Sequence, residues 1–217
     1  MDDLLEQLKQ KPGLKLLVNE LTRFIKEEEN LRNEFYNRIS ENDKAEFING
    51  EIIFHSPVKW EHAGTTGSLF SLLRFYAVKY NLGQVFTEKI MIQLTRNSYE
   101  PDIVFFKKET AQHFRTGQML FPAPDLVVEI LSPSTEKNDR GVKFIDYALH
   151  GVTEYWIIDP AQQSAEQYLL QQGSYQLEFK GKAGKMFSVA LTGFTIEIKA
   201  IFDEQENVKA LQQILQG

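Results

Sequence analysis

The chain has 217 residues, 42% of them apolar and 12% aromatic, which suits one domain with an extension, or two very small ones, and argues against disorder. It contains no cysteine, so disulfides and thiolate metal sites are excluded. Its net charge of −6 leaves no general excess of Lys and Arg, so any contact with a polyanion must come from a local patch. The opening "MDDLLEQLKQ" is acidic and lacks the basic and apolar stretches of a secretory signal. No apolar run approaches the roughly 20 residues of a membrane helix, and a cytoplasmic location without membrane contact is the expectation.

Residues 1–38 read as two helical pieces broken at Pro12 and Gly13. Leu21, Phe24, Ile25, Leu31, Phe35 and Ile39 share roughly one face of the second piece. In "KAEFINGEIIFHSP", Asn49-Gly50 between two apolar runs signals a hairpin. "EHAGTTGSLFSLLRFYAVKYNLG" has helical spacing, with Gly83 as its expected C-terminal cap. Strands are expected in "QVFTEKIMIQLT", "EPDIVFFKKE" and "DLVVEIL". A helix over 136–150 follows, capped by Ser134 or Thr135 and closed near Gly151, and then a strand in "TEYWIIDP". Residues 166–199 read as antiparallel strands turning at Gly173, Gly181, Gly184 and Gly193, before a last amphipathic helix. The plan is α/β around one mixed sheet, ordered helix, three strands, helix, strand. It divides into an N-terminal helical extension, 1–42, and a single domain, 43–217, with its core at about 45–160.

Two acids stand on apolar strands. Glu129 sits inside "DLVVEIL", and Asp102 opens "DIVFF". An unpaired buried carboxylate costs several kcal/mol or surrenders its charge. If the two strands are neighbours, both carboxylates converge, and the natural remedy for their repulsion is a divalent cation. Oxygen ligands without cysteine favour Mg²⁺ or Mn²⁺, and such an ion suits phosphodiester hydrolysis. The plainer readings make Asp102 a turn residue after Pro101 and pair Glu129 with a buried Arg or Lys. Lys143, on the helix after the Glu129 strand, is the best candidate cation; Arg140 and Lys137 compete. Its plainer reading is a surface pair with Asp139 or Asp146. His62 at a helix start is a ligand, an acid/base group or, on the plainer reading, a histidine satisfied by backbone. Glu46 and Glu51 flank the hairpin turn; either can point at the site, and cross-strand surface pairing is the default. Asp159 reads as turn chemistry, and Phe105, Phe106, Tyr155 and Trp156 as core. No phosphate loop, dinucleotide glycine pattern, nucleophile elbow or zinc-protease motif is present.

"FINGEIIFHSP", His62, "EPDIVFF", "PDLVVEILSPST", "DRGVKFIDY" and "GVTEYWIIDP" together resemble, in order and spacing, the Uma-type restriction endonuclease family. That family is similar to the PD-(D/E)XK nucleases. The resemblance spans about residues 45–160 and implies a restriction-endonuclease-like core in the element order read above. It makes Asp102 and Glu129 catalytic metal ligands. Leu131 stands where the superfamily pattern has its lysine, and the resemblance gives that part to Lys143. Glu51 and His62 match further family positions. The expected activity is metal-dependent endonucleolytic hydrolysis of DNA, with Mg²⁺ or Mn²⁺ as cofactor and a homodimer as the expected assembly. The alternative is a non-catalytic interaction protein that reuses the fold.

Overall fold

The computed structural model describes residues 2–40 and 42–216. Helices α1 (Asp2–Lys9) and α2 (Leu14–Arg38) part at Pro12 and Gly13 as the sequence predicts. Strands β1 (Ala45–Ile48) and β2 (Glu51–Phe54) form the hairpin, with Asn49 and Gly50 at φ 51° and 87°. Both central residues at positive φ are what a tight two-residue turn needs to match the twist of its strands.

Helix α3 (Trp60–Lys79) ends differently from expectation. Asn81, at φ 52°, takes the left-handed position after the helix, and Gly83 instead opens β3 (Gly83–Thr87). Glycine is required there by a close approach: a Cβ on Gly83 would stand 2.0 Å from the carbonyl oxygen of Phe106. The run "QVFTEKIMIQLT" is two strands rather than one. Glu88 and Lys89, both left-handed, turn the chain between β3 and β4 (Met91–Gln93). Next come β5 (Ser98–Tyr99), β6 (Ile103–Lys107), α4 (Lys108–Ala111), β7 (Leu120–Phe121) and β8 (Leu126–Ile130). The helix expected over 136–150 is broken into α5 (Glu136–Asp139) and α6 (Val142–Leu149). Thr135 holds the N-cap position but makes no side-chain cap hydrogen bond. The chain closes with β9 (Glu154–Asp159), β10 (Ser164–Gln171), β11 (Ser174–Gly181), β12 (Lys185–Phe187), β13 (Thr195–Glu197), α7 (Lys199–Phe202) and α8 (Glu204–Gln216).

The strands build three sheets, not the single sheet expected. The largest runs β11-β10-β9-β8-β6-β3, with β8 and β9 parallel and the other neighbours antiparallel. Its elements follow the expected order: α3, then β3, β6 and β8, then α5 and α6, then β9. A second sheet, β2-β1-β5-β4-β7, collects short strands whose alternation is too brief to read from sequence. β12 and β13 pair separately.

Burial explains the layering. One face of the large sheet presents Val85, Ile103, Phe105, Leu126, Val128 and Trp156 to Leu69, Leu72 and Leu73 of α3. The opposite face presents Val104, Phe106, Val127, Tyr155 and Ile157 to Tyr147 and Ala148 of α6 and to Ile48, Ile92 and Tyr99 of the second sheet. Each fully buried aliphatic or aromatic side chain contributes about 1.5–3 kcal/mol, so a sheet covered on both faces anchors the molecule. Beyond the second sheet, Phe35 of α2 packs with Ala45, Phe47 and Met91.

Candidate active site

The two acids singled out in the sequence meet because their strands are neighbours. β6 and β8 pair antiparallel with Ile103 opposite Val128, so Asp102 and Glu129 occupy the next pair of positions along the ladder. Facing residues of an antiparallel pair share one side of the sheet. Here that side is the one capped by α6 and the second sheet, and it opens into a cavity of about 600 Å³. Asp102, Glu129, Lys143 and His62 all line this cavity, together with Lys44, Glu46, His55, Glu100 and Asp139. Glu51 is exposed and lies outside it; Glu46, the other acid of the hairpin, lies within.

Asp102 is held firmly. Its Oδ2 accepts the backbone N–H of Ile130 at 2.8 Å, across the strand pair. The His62 Nε2 stands 3.2 Å from the same oxygen, and Lys44 Nζ is 3.4 Å from Oδ1. Burial alone would raise the Asp102 pKa, but His62, Lys44 and the Ile130 amide overcome it and hold the carboxylate below its ordinary range. His62 therefore serves this acid from the first turn of α3, a partner that the sequence left open.

Lys143 is not the surface residue of the plainer reading. Only 3% of its side chain is exposed, and its Nζ lies 2.9 Å from Glu46 Oε1, 3.1 Å from Glu129 Oε1 and 3.1 Å from Asp139 Oδ1. Burial would lower its pKa; the three carboxylates prevail and raise it well above the ordinary lysine value. Asp146 is not its partner, accepting instead from Asn97 and Tyr99. Arg140, the competing cation, is committed to Glu166 and Glu136.

One ammonium among three carboxylates leaves a surplus of negative charge. Burial first, then Asp139, Asp102 and Glu46, push the Glu129 pKa well above its ordinary value against the opposing pull of Lys143. Asp139 is raised by burial too. Glu46 resists its burial because Lys143 and His55 lower its pKa. Glu100, whose carboxylate accepts the Ala45 N–H at 3.1 Å, is pushed up to about 7 mainly by burial. Glu46 Oε2, 3.2 Å from His55 Nε2, and Asp139 Oδ1, 3.1 Å from Lys143 Nζ, lack an aligned hydrogen-bond donor. The site is thus short of positive charge, which suits it to receive a cation.

Asp102 and Glu129, on neighbouring strands at the cavity, could hold one. Among the described residues no three His, Asp or Glu side chains form a ready metal-ligand group. A cation here would complete its shell with water, backbone carbonyls or substrate oxygens, the usual arrangement for Mg²⁺. Sequence reasoning placed Asp102, Glu129, Lys143 and His62 as candidates, left open whether Glu46 or Glu51 points at the site, and gave no cavity role to Lys44, His55, Glu100 or Asp139. The signal available for Glu46 was its position inside the buried strand "AEFI", beside the hairpin turn.

The sequence model of a family described as Uma2, putative restriction endonuclease, matches residues 32–199. No curated protein matches the chain. Among solved structures, it is similar to a putative nuclease belonging to DUF820 from Anabaena variabilis. The two share 22% identity over 82% of this chain and 97% of the other, with a TM-score of 0.68. At that identity the likeness speaks for the fold. Among the described residues no helix is long and apolar enough to cross a membrane.

Proposed function

Because this chain belongs to the Uma2 putative restriction endonuclease family, we propose that it is a metal-dependent endonuclease hydrolysing the phosphodiester bonds of DNA, with Mg²⁺ or Mn²⁺ as cofactor. The observation that carries this reading is the placement of Asp102 and Glu129 on adjacent strands at one cavity, with Lys143 donating to Glu129 at 3.1 Å.

In phosphodiester hydrolysis a water attacks phosphorus in line with the departing oxygen, the P–O bond to that oxygen breaks, and the oxygen takes up a proton. Negative charge grows on the phosphoryl oxygens throughout. A bound divalent ion supplies Lewis-acid stabilisation of that charge and lowers the pKa of a coordinated water. Asp102 and Glu129 would hold it, and the residues of this chain prepare them. His62 and the Ile130 amide fix the Asp102 carboxylate in position. Lys143 fixes Glu129 and places a buried positive charge beside the reacting phosphate. Leu131, two residues after Glu129, can do neither, so a lysine on α6 reaching the same carboxylate is what keeps the reading intact.

A second reading is favoured by one observation. The Lys143 ammonium is already surrounded by three carboxylates, which is also how a purely structural lysine would be held. Melting temperature against Mg²⁺ and Mn²⁺, for wild type and Glu129→Ala, separates the two. A ligand at about 100 times its Kd stabilises by about 2.7 kcal/mol. The endonuclease reading expects a metal-induced rise in wild type that is lost in the variant, and metal-stimulated cleavage of DNA by wild type alone. Removing a repelled carboxylate can stabilise the metal-free variant, so the shift is the informative quantity. Neither shift nor cleavage in wild type would overturn the reading in favour of a non-catalytic protein.

A further inference from the structure

We propose that an apolar lip on the cavity, formed by Phe54, Pro57 and Val58 with the exposed Trp60 following them in the chain, stacks the unpaired bases of DNA, so that this site takes single-stranded or locally unpaired DNA. This deepens the endonuclease reading and rests on it.

The lip is continuous with the acids. Phe54, Pro57 and Val58 line the same cavity as Asp102 and Glu129. Trp60 opens α3, two residues ahead of the His62 that holds Asp102. Both rings stand in water: Phe54 is 65% exposed and Trp60 80%, while the other tryptophan, Trp156, is fully buried. Their exposure follows from the fold, since β2 is the outer strand of its sheet and Trp60 is the first residue of its helix. Leaving two large rings in water sacrifices burial energy that the core would otherwise collect.

The kind of occupant follows from the chemistry. A nucleotide whose phosphate sits at Asp102 and Glu129 carries its base toward the cavity rim. In a duplex that base is already stacked on its neighbours and offers only an edge, which aromatic faces cannot hold. An unpaired base offers a whole apolar face, and stacking it on an aromatic ring contributes about 1–3 kcal/mol. Charge points the same way. Lys44 and Lys59 are the lysines that line the cavity besides the buried Lys143, and the chain as a whole carries −6. Two lysines give a duplex backbone little to hold, whereas base stacking adds affinity that does not depend on a phosphate contact.

Anisotropy of a labelled oligonucleotide tests this in every protein, and in wild type and Phe54→Ala the exposed Trp60 adds a fluorescence readout, Trp156 being buried. An oligothymidylate and the matching duplex with oligoadenylate are titrated into wild type, Trp60→Ala and Phe54→Ala in chelator, so that nothing is cleaved. The expected result is quenching by the single strand, weaker binding of the duplex, and about tenfold weaker single-strand binding in either variant, the size of one lost stack. Both substitutions are at exposed positions and leave the core intact. Equal binding of duplex and single strand, unchanged affinity in both variants, or no binding at all would overturn the proposal. Metal-dependent cleavage indifferent to strandedness and to both variants would overturn the lip while leaving the endonuclease standing. Retained stacking without a metal shift or cleavage would overturn the endonuclease reading instead.

Discussion

Glu129 and Glu154 are both carboxylates sunk in strands of the large sheet, and their partners differ in kind. Glu154 accepts from Trp156 Nε1 and Gln167 Nε2, each at 2.6 Å, from the Ser188 hydroxyl at 2.8 Å, and from the amides of Val189 and Ala190. Five donors satisfy it without a cation, and it ties β9 to the loop after β12. Among the described residues Glu129 has Lys143 at 3.1 Å and the Tyr147 hydroxyl at 3.5 Å as its donors, with three other acids acting on it. The first is satisfied by the protein itself, while the second shares one ammonium with neighbouring acids. Lys143 is what makes this tolerable, so Lys143→Met is expected to cost about 3–5 kcal/mol in urea denaturation, the usual penalty for stranding a buried charge. A loss below about 1 kcal/mol would mean that the three acids are neutral without it.

At the scale of elements, the break between α5 and α6 aims Lys143. Gly141 sits at this break, and a Cβ there would meet the carbonyl oxygen of Lys137 at 2.6 Å. Backbone cannot yield as a flexible side chain can, so Gly141→Ala must shift the start of α6. Overpacking of this kind costs about 1–3 kcal/mol, and we expect a lower melting temperature together with a weakened metal-induced shift. A variant with wild-type values for both would show that the break is not what positions Lys143. The spacing of Lys143 from Asp139 was legible in the sequence; its meaning was not. The same four-residue step describes a surface pair worth tenths of a kcal/mol or a buried cluster, and only what covers α6 decides between them.

Across the whole molecule, that broken helix is also tied to the sheet edge. Arg140 donates to both oxygens of Glu166 on β10, at 2.9 and 3.0 Å, and Lys180 of β11 and the Tyr168 hydroxyl join them. Burial would raise the Glu166 pKa, but these donors lower it from 4.5 to about 2. A carboxylate depressed on folding adds stability that is present above its unfolded pKa and is lost as pH falls through the folded one. Wild type should therefore lose on the order of 2 kcal/mol from this group between about pH 4.5 and 2, discounted because Arg140 is partly open to solvent. Glu166→Gln should lack that acid limb in denaturation curves collected against pH. Identical curves for the two proteins would remove Glu166 from the account.

The sequence by itself determined the element order of the core, the hairpin at Asn49-Gly50 and the two acids on apolar strands, because periodicity, turn chemistry and a misplaced charge are local signals. It also carried the likeness to a nuclease family through motifs whose order needs no coordinates. The tertiary structure alone decided that β4, β5 and β7 leave for a second sheet, since strands of two or three residues show no period. It alone decided that Glu46 enters the cavity while Glu51 stays outside, and that Lys143 is buried among three acids. Those outcomes depend on which surfaces cover one another. Burial sets the energy of every charge at this site, and it belongs to the packed molecule rather than to any stretch of chain.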